Sequence, residues 1–280
     1  MDELVERNLQ RLALPHVGLI PLREVEDVRL LGVKPTRSTG EYCWTLTPFV
    51  PQFVFERDSR VNRVTYLDAD LFFFASPKSL LDEFEHSGKH VMITEHAYAP
   101  RYERFGRAKR GGRFCVQFMT FVRSPEGAKV MRWWQDRCLE WCYARVEDGK
   151  YGDQKYLDQW PVLFEPEVHI LLQKEKTLAP WNVAYYGNLG RGQVTPVFYH
   201  FHGLRILSHN ELLLYSGYRV GNAANYLYQT YLGTLDQSIA RLKHAGISVP
   251  CLPRPNDWIG RLTILKRQWI DGEKRIPYQS

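Results

Sequence analysis

The residues best suited to chemistry in this chain are Asp68 and Asp70, in the run Tyr66-Leu67-Asp68-Ala69-Asp70. A segment rich in strand formers, Arg63 to Leu67, delivers the two carboxylates, and the apolar run Leu71 to Phe74 follows them. On an extended backbone, side chains at i and i+2 point the same way, so the pair is expected to stand side by side. Two carboxylates in apolar surroundings repel each other and lose hydration. A hard divalent cation relieves both problems, and Mg²⁺ or Mn²⁺ held in this way commonly also holds phosphate oxygens. The plainer alternative is a turn in which one aspartate caps the next helix.

Two further runs carry candidate ligands. His200 opens His200-Phe201-His202-Gly203-Leu204-Arg205 at the end of an expected strand beginning at Thr195. His200 and His202 share a face, so both can ligate only if that strand continues. With the aspartates at another strand end, the expected metal set is Asp68, Asp70 and His200. The third run is Tyr151-Gly152-Asp153-Gln154. A glycine followed by an aspartate marks a turn into a helix, and spacing alone favours Asp153 as its N-cap over a place at the floor of a cleft.

Elements to position these residues follow from periodicity and punctuation. Strands are expected at 17–22, 63–67, 90–94, 116–122, 168–172 and 195–200. A helix is expected over 1–12, and another, kinked by Pro48 and Pro51, over 41–57. Ser76-Pro77 and Ser124-Pro125 each read as a helix start, the second helix running to about residue 146. Residues 153–160 read as a short helix, and 97–113 as a basic loop whose glycines would let it act as a lid or leave it a solvated surface. Beyond residue 205 the pattern reads as helical, over 222–232, 234–245 and 256–270. Strands and helices alternate up to about residue 200, which is an α/β pattern whose ligands sit beyond the carboxyl ends of the strands. The expected organisation is a catalytic region over 1–205 and a helical extension over 206–280.

Bulk properties narrow the class. With 44% apolar and 24% charged residues among 280, the chain is neither disordered nor fibrous. Its net charge of +6 permits anionic partners without selecting one. Lys and Arg are scattered and the aromatics lie in apolar runs, so nucleic acid is not an expected partner. The segment Met1 to Leu12 is charged throughout and lacks the apolar core of a secretory signal, and no run approaches the roughly 18 apolar residues of a membrane span. The five cysteines form no CxxC pair, which suits a reducing cytoplasm. The basic helix expected over 256–270 either covers the protein's own apolar surface or rests on the inner face of a membrane. Trp181, in Pro180-Trp181-Asn182, suits either core packing or stacking on an acceptor sugar.

Taken in order, the three runs resemble the nucleotide-sugar glycosyltransferases of the GT-A type, especially the retaining glycogenin and galactosyltransferase-like group, glycosyltransferase family 8. The resemblance covers roughly residues 14–205. It rests on Tyr66-Leu67-Asp68-Ala69-Asp70, on Asp153, Gln154 and Leu157, and on His200, Phe201 and Gly203. It implies a GT-A fold, a mostly parallel mixed sheet with flanking helices. It further implies transfer of a hexosyl group from a nucleoside-diphosphate sugar, most simply a UDP-sugar, to a glycan or lipid-linked acceptor, with Mn²⁺ or Mg²⁺ on Asp68, Asp70 and His200. Asp153 and Gln154 would then face the sugar and acceptor. Gln117 takes the place of the family's Asn-x-Gly strand, and Arg205 that of its phosphate-binding lysine. Lys34 or Arg37 would supply a basic group to the donor, which Asp68 also contacts. Family members carry a longer nucleotide-binding stretch before the first recognisable strand, so a shortened first unit is expected here. The rival expectations are a metal-dependent phosphoesterase or nucleotidyltransferase, and an inactive scaffold of the same fold.

Overall fold

A computed structural model of the chain describes residues 3–207, 211–249, 251–252 and 272–278. Its strands, in chain order, are β1 (Arg63–Leu67), β2 (Leu71–Phe73), β3 (Val91–Glu95), β4 (Phe114–Val122), β5 (Val168–Ile170), β6 (Thr177–Leu178), β7 (Phe198–His200), β8 (Arg205–Leu207), β9 (Glu211–Tyr215) and β10 (Lys274–Pro277). They form three sheets flanked by helices, an α/β architecture with parallel and antiparallel pairings. The chain divides into two units. One comprises 20–69 and 76–174; the other comprises 3–19, 70–75 and the residues from 175 onward. The chain passes between them at Ala69 and Asp70, inside the aspartate pair itself.

The first unit is built on a four-stranded sheet in the order β1-β4-β3-β5. β4 is antiparallel to β1 and β3, and only β5 runs parallel to β3. Val91, Met92 and Ile93 are fully buried, as is almost all of β4, so these strands read as continuous apolar runs rather than alternating ones. Helix Pro125–Glu140 covers the sheet, burying Val130, Met131, Trp134 and Cys138 in the core. Ser124 caps it by accepting from the Gly127 N–H at 3.0 Å, and Pro125 occupies the first turn, where its missing N–H costs nothing. The helix lies so close to β4 that a Cβ on Gly127 would come within 2.5 Å of the Val122 carbonyl oxygen. The kinked region resolves into Thr39–Leu46, a 3-10 turn Thr47–Phe49 and Val50–Arg57. Pro48 and Pro51 fall in first turns, so each starts a new helical piece instead of breaking one. A capping box between Ser38 and Glu41 fixes the start.

The second unit holds two three-stranded sheets, β2-β7-β6 and β10-β9-β8. Leu71 pairs with His200, Phe72 with Tyr199 and Phe73 with Phe198, antiparallel. Helix Asn225–His244 contributes Tyr231, which stacks on Phe201 at 3.9 Å between ring centres and meets Phe72 edge-on at 5.5 Å. Aromatic side chains therefore pack around the sheet that carries His200.

Several expectations need correction. The sheets are mixed but not mostly parallel: most pairings among the described residues are antiparallel. The strand expected at 17–22 is irregular chain leading into helix Leu22–Val25. The helix from Pro125 ends at Glu140, with Trp141 already extended. The basic loop contains two short helices, Pro100–Arg104 and Arg107–Gly111. It is anchored where Gln154 donates to the Gly111 carbonyl at 2.6 Å and where Arg113 pairs with Glu95 at 2.6 Å. The two helices expected after residue 222 are one, because Gly233 is tolerated mid-helix. The region beyond 205 is not wholly helical, since β8, β9 and β10 form a sheet there. The helix expected over 256–270 lies outside the described residues. No helix among them is long and apolar enough to cross a membrane.

Candidate metal centre

The register of β2 against β7 gathers the candidate ligands in the second unit. Leu71 faces His200, and the next N–H along, that of Phe201, donates to the Asp70 carbonyl at 2.8 Å. This places Asp70 across from the end of β7, where His200 Nε2 lies 2.9 Å from Asp70 Oδ1. His200 is buried, while the Asp70 carboxylate keeps 37% of its side-chain surface exposed, enough for a solute to reach it. The strand ends at His200, yet the turn that follows returns His202 to the same point. One ligand atom from each of Asp70, His200 and His202 lies within 4.8 Å of the other two. Trp181 packs edge-on against both imidazoles, at 5.4 and 5.5 Å, and against Tyr218 at 5.9 Å. It is 3% exposed, so it supports the histidine rings rather than offering a face to a sugar.

The electrostatics suit a cation. Burial raises the pKa of Asp70, but the hydrogen bond from His200 and the charges of His200 and His202 outweigh it, and the net shift is downward. The carboxylate therefore stays ionised. His202 keeps an exposed surface, yet partial desolvation lowers it to about 4, with His200 and Arg205 adding to the effect and Asp70 opposing it. A histidine held neutral is ready to give a lone pair to a metal. One carboxylate and two imidazoles form a mixed oxygen and nitrogen donor set that fits a divalent transition ion better than Mg²⁺.

Asp68 belongs to the first unit, and its neighbours there are as follows. Its N–H donates to the Gln117 carbonyl at 3.0 Å, and its carboxylate accepts from the Tyr66 hydroxyl at 3.0 Å. Asp153 is buried there too, with Thr47 hydrogen-bonded to its carboxylate. Burial, with the Asp68 charge as the next raising cause, pushes Asp153 up to about 7 against the hydrogen bonds it accepts. Asp153 precedes the 3-10 turn Gln154–Gln159 but does not cap it through its side chain, so the capping expectation fails. Its own carbonyl instead accepts from Trp134 Nε1 at 2.9 Å.

The remaining candidates are placed as follows. Gln117 is fully buried in β4. Lys34 pairs with Glu26 at 2.5 Å, and Arg37 lies over the Tyr143 ring at 4.0 Å. Arg205 is exposed beside the cluster and close enough to His202 to act on it electrostatically. The structure brings Asp70, His200 and His202 together. It groups Asp68 with Tyr66 and Asp153. Sequence reasoning left His202 open because it assumed a ligand there needs a continuing strand. It missed Thr47 and Tyr66, although Tyr66 shares a strand face with Asp68.

Fold and cluster together define an α/β protein with a candidate divalent-metal site. No family model matches the chain. It is 34% identical over 222 residues to "Uncharacterized protein YfnF" of Bacillus subtilis (strain 168), covering 76% of this chain and 73% of that protein. It is 29% identical over 255 residues to "Uncharacterized protein YfnD" of the same strain, covering 88% and 80%. The chain belongs to the family of YfnF. Among solved structures it is similar to mouse xyloside xylosyltransferase 1 in its apo form, with a TM-score of 0.37 and 16% identity over 63% of this chain and 73% of that one. It is also similar to a glycosyltransferase involved in glycosylation of the major capsid of PBCV-1, with a TM-score of 0.38 and 8% identity over 72% and 84%. At such scores neither likeness assigns a fold or an activity.

Proposed function

We propose that this protein is a metal-dependent glycosyltransferase of the GT-A type, transferring a hexosyl group from a nucleoside-diphosphate sugar to a glycan or lipid-linked acceptor. The observation that carries the reading is the meeting of Asp70 with His200. The first comes from the Asp-x-Asp run and the second from the His-Phe-x-Gly run, and their closeness supports reading both as metal ligands. Asp70, His200 and His202 would hold the ion, and the two imidazoles favour Mn²⁺ over Mg²⁺. When bound, the ion would neutralise charge building on the departing diphosphate. Arg205, exposed beside the cluster, adds a fixed positive charge that attracts the same phosphate oxygens. Asp153 holds a proton near neutral pH and is suited to donate a hydrogen bond to a sugar oxygen, with Gln154 beside it. Asp68, oriented by the Tyr66 hydroxyl, is suited to accept one. A UDP-sugar donor, the 1–205 catalytic region and contact with a membrane-borne acceptor belong to the same proposal.

The test is nucleotide release from a panel of UDP- and GDP-sugars with Mn²⁺, with and without glycan acceptors, for the wild type, Asp70→Asn and His200→Ala. Release that depends on metal and is lost in both variants supports the reading. Release unaffected by either substitution, or unchanged by a chelator, overturns it.

A further inference from the structure

A pocket lies wholly within the first unit and shares no residue with the metal cluster. Its volume is about 520 Å³, and its lining includes Trp133, Arg137, Glu140, Asp148, Lys150 and Gln159. That volume is within the range of small-ligand sites. The walls are fixed from behind. Trp133 packs edge-on against Tyr156 and Phe164, at 6.2 and 5.7 Å. Asp148 takes a positive φ of 48° at the tip of a turn closed by reciprocal backbone hydrogen bonds between Glu147 and Lys150, at 3.2 and 2.8 Å. Trp141, also in the lining, is held by Glu147 through its Nε1 at 3.1 Å.

The polar groups are mixed and balanced. Arg137 and Lys150 are donors, Glu140 and Asp148 are acceptors, and Gln159 is both. Arg137 gives one nitrogen to Glu140 and sits over the Trp133 ring at 5.9 Å, but its Nε is buried without a hydrogen-bond partner. A buried donor in that state costs free energy that an incoming acceptor would recover. Two cations against two carboxylates leave no net charge to select an ion. Aromatic rings bordered by alternating donors and acceptors instead suit a hydroxyl-rich ring with one C–H face, whose hydrogens meet the negative face of the π system.

We propose that this pocket is an ancillary saccharide site, binding a neutral pyranose unit through Arg137, Glu140, Asp148 and Gln159 against Trp133. It requires no metal, so it can be assayed apart from any transfer activity. The experiment is titration of the full chain in EDTA with the methyl glycosides of glucose, galactose and N-acetylglucosamine. Tryptophan fluorescence and saturation-transfer NMR would be read together. At least one glycoside should bind saturably at millimolar concentration. Arg137→Lys, Asp148→Asn and Gln159→Ala should each weaken it by about fivefold or more, the loss of roughly one polar contact. All three positions are at least partly solvent-facing, and an unchanged thermal midpoint would show that the variants fold. No saturable signal from any of the three sugars would overturn the proposal. So would undiminished binding in all three variants, or saturable binding of inorganic phosphate in place of the sugars.

Discussion

Replacing Asp153 with asparagine should make the protein more stable, and only at higher pH. Asp153 is 6% exposed, and its carboxyl is held at about 7 against an ordinary value of 3.8. The folded state therefore keeps a proton there that the unfolded chain releases at lower pH. Over that interval the native state binds more protons, so stability falls as pH rises from about 4 to about 7 and then levels off. A shift from 3.8 to about 7, at ~1.36 kcal/mol per unit, corresponds to roughly 4 kcal/mol. Asparagine has the same shape and never ionises. At about pH 4 the two proteins should agree within about 1 kcal/mol, the worth of one altered hydrogen bond. At about pH 8.5 Asp153→Asn should be the more stable by roughly 3 kcal/mol, the full cost less that bond. Urea denaturation followed by tryptophan fluorescence across this range measures the difference, and shifts common to both proteins cancel. Asp68→Asn should move the midpoint of the curve to lower pH, because the Asp68 charge raises Asp153. A wild-type-minus-variant difference that is flat with pH would refute the reasoning, as would one that grows in the wild type's favour as pH rises.

Other outcomes follow from single contacts. Mn²⁺ binding, read by calorimetry, should weaken by about a hundredfold or more in His200→Ala, and His202→Ala should weaken it less if the buried imidazole is the stronger ligand. Gly127→Ala should cost about 1–3 kcal/mol in the same urea assay, because the new Cβ would press on the Val122 carbonyl at 2.5 Å; a neutral result would show that the helix can slide off β4. Ser38→Ala removes one arm of the capping box and should cost about 1 kcal/mol, detectable as a lower unfolding midpoint.

Local chemistry made some features legible in the sequence. β1 could be read from its run of strand formers, and the buried β3 and β4 because near-continuous apolar strands leave few alternatives. The piecewise helix over 39–57 could be read because a proline forces each restart. Asp70 and His200 were recognisable as candidates from their residue types at strand ends. Strand direction could not be read, since an apolar strand carries no mark of whether its neighbour runs with it or against it. The sheet over β8, β9 and β10 was equally hidden, because β10 pairs with β9 from the far end of the chain.

The sequence by itself determined the candidate ligand types, in the Asp-x-Asp and His-Phe-x-Gly runs, and most of the elements that carry them. Tertiary structure decided that Asp70 meets the imidazoles of His200 and His202. An extended strand through Asp70 would have set Asp68 and Asp70 side by side, but β1 ends at Leu67 and the chain turns. Asp70 then follows the β2–β7 register to His200, while Asp68 stays with Tyr66 and Asp153. Pairing register and burial are properties of residues distant in the chain, and for that reason spacing within a motif could not show that Asp70 meets His200 or that Asp68 meets the Tyr66 hydroxyl.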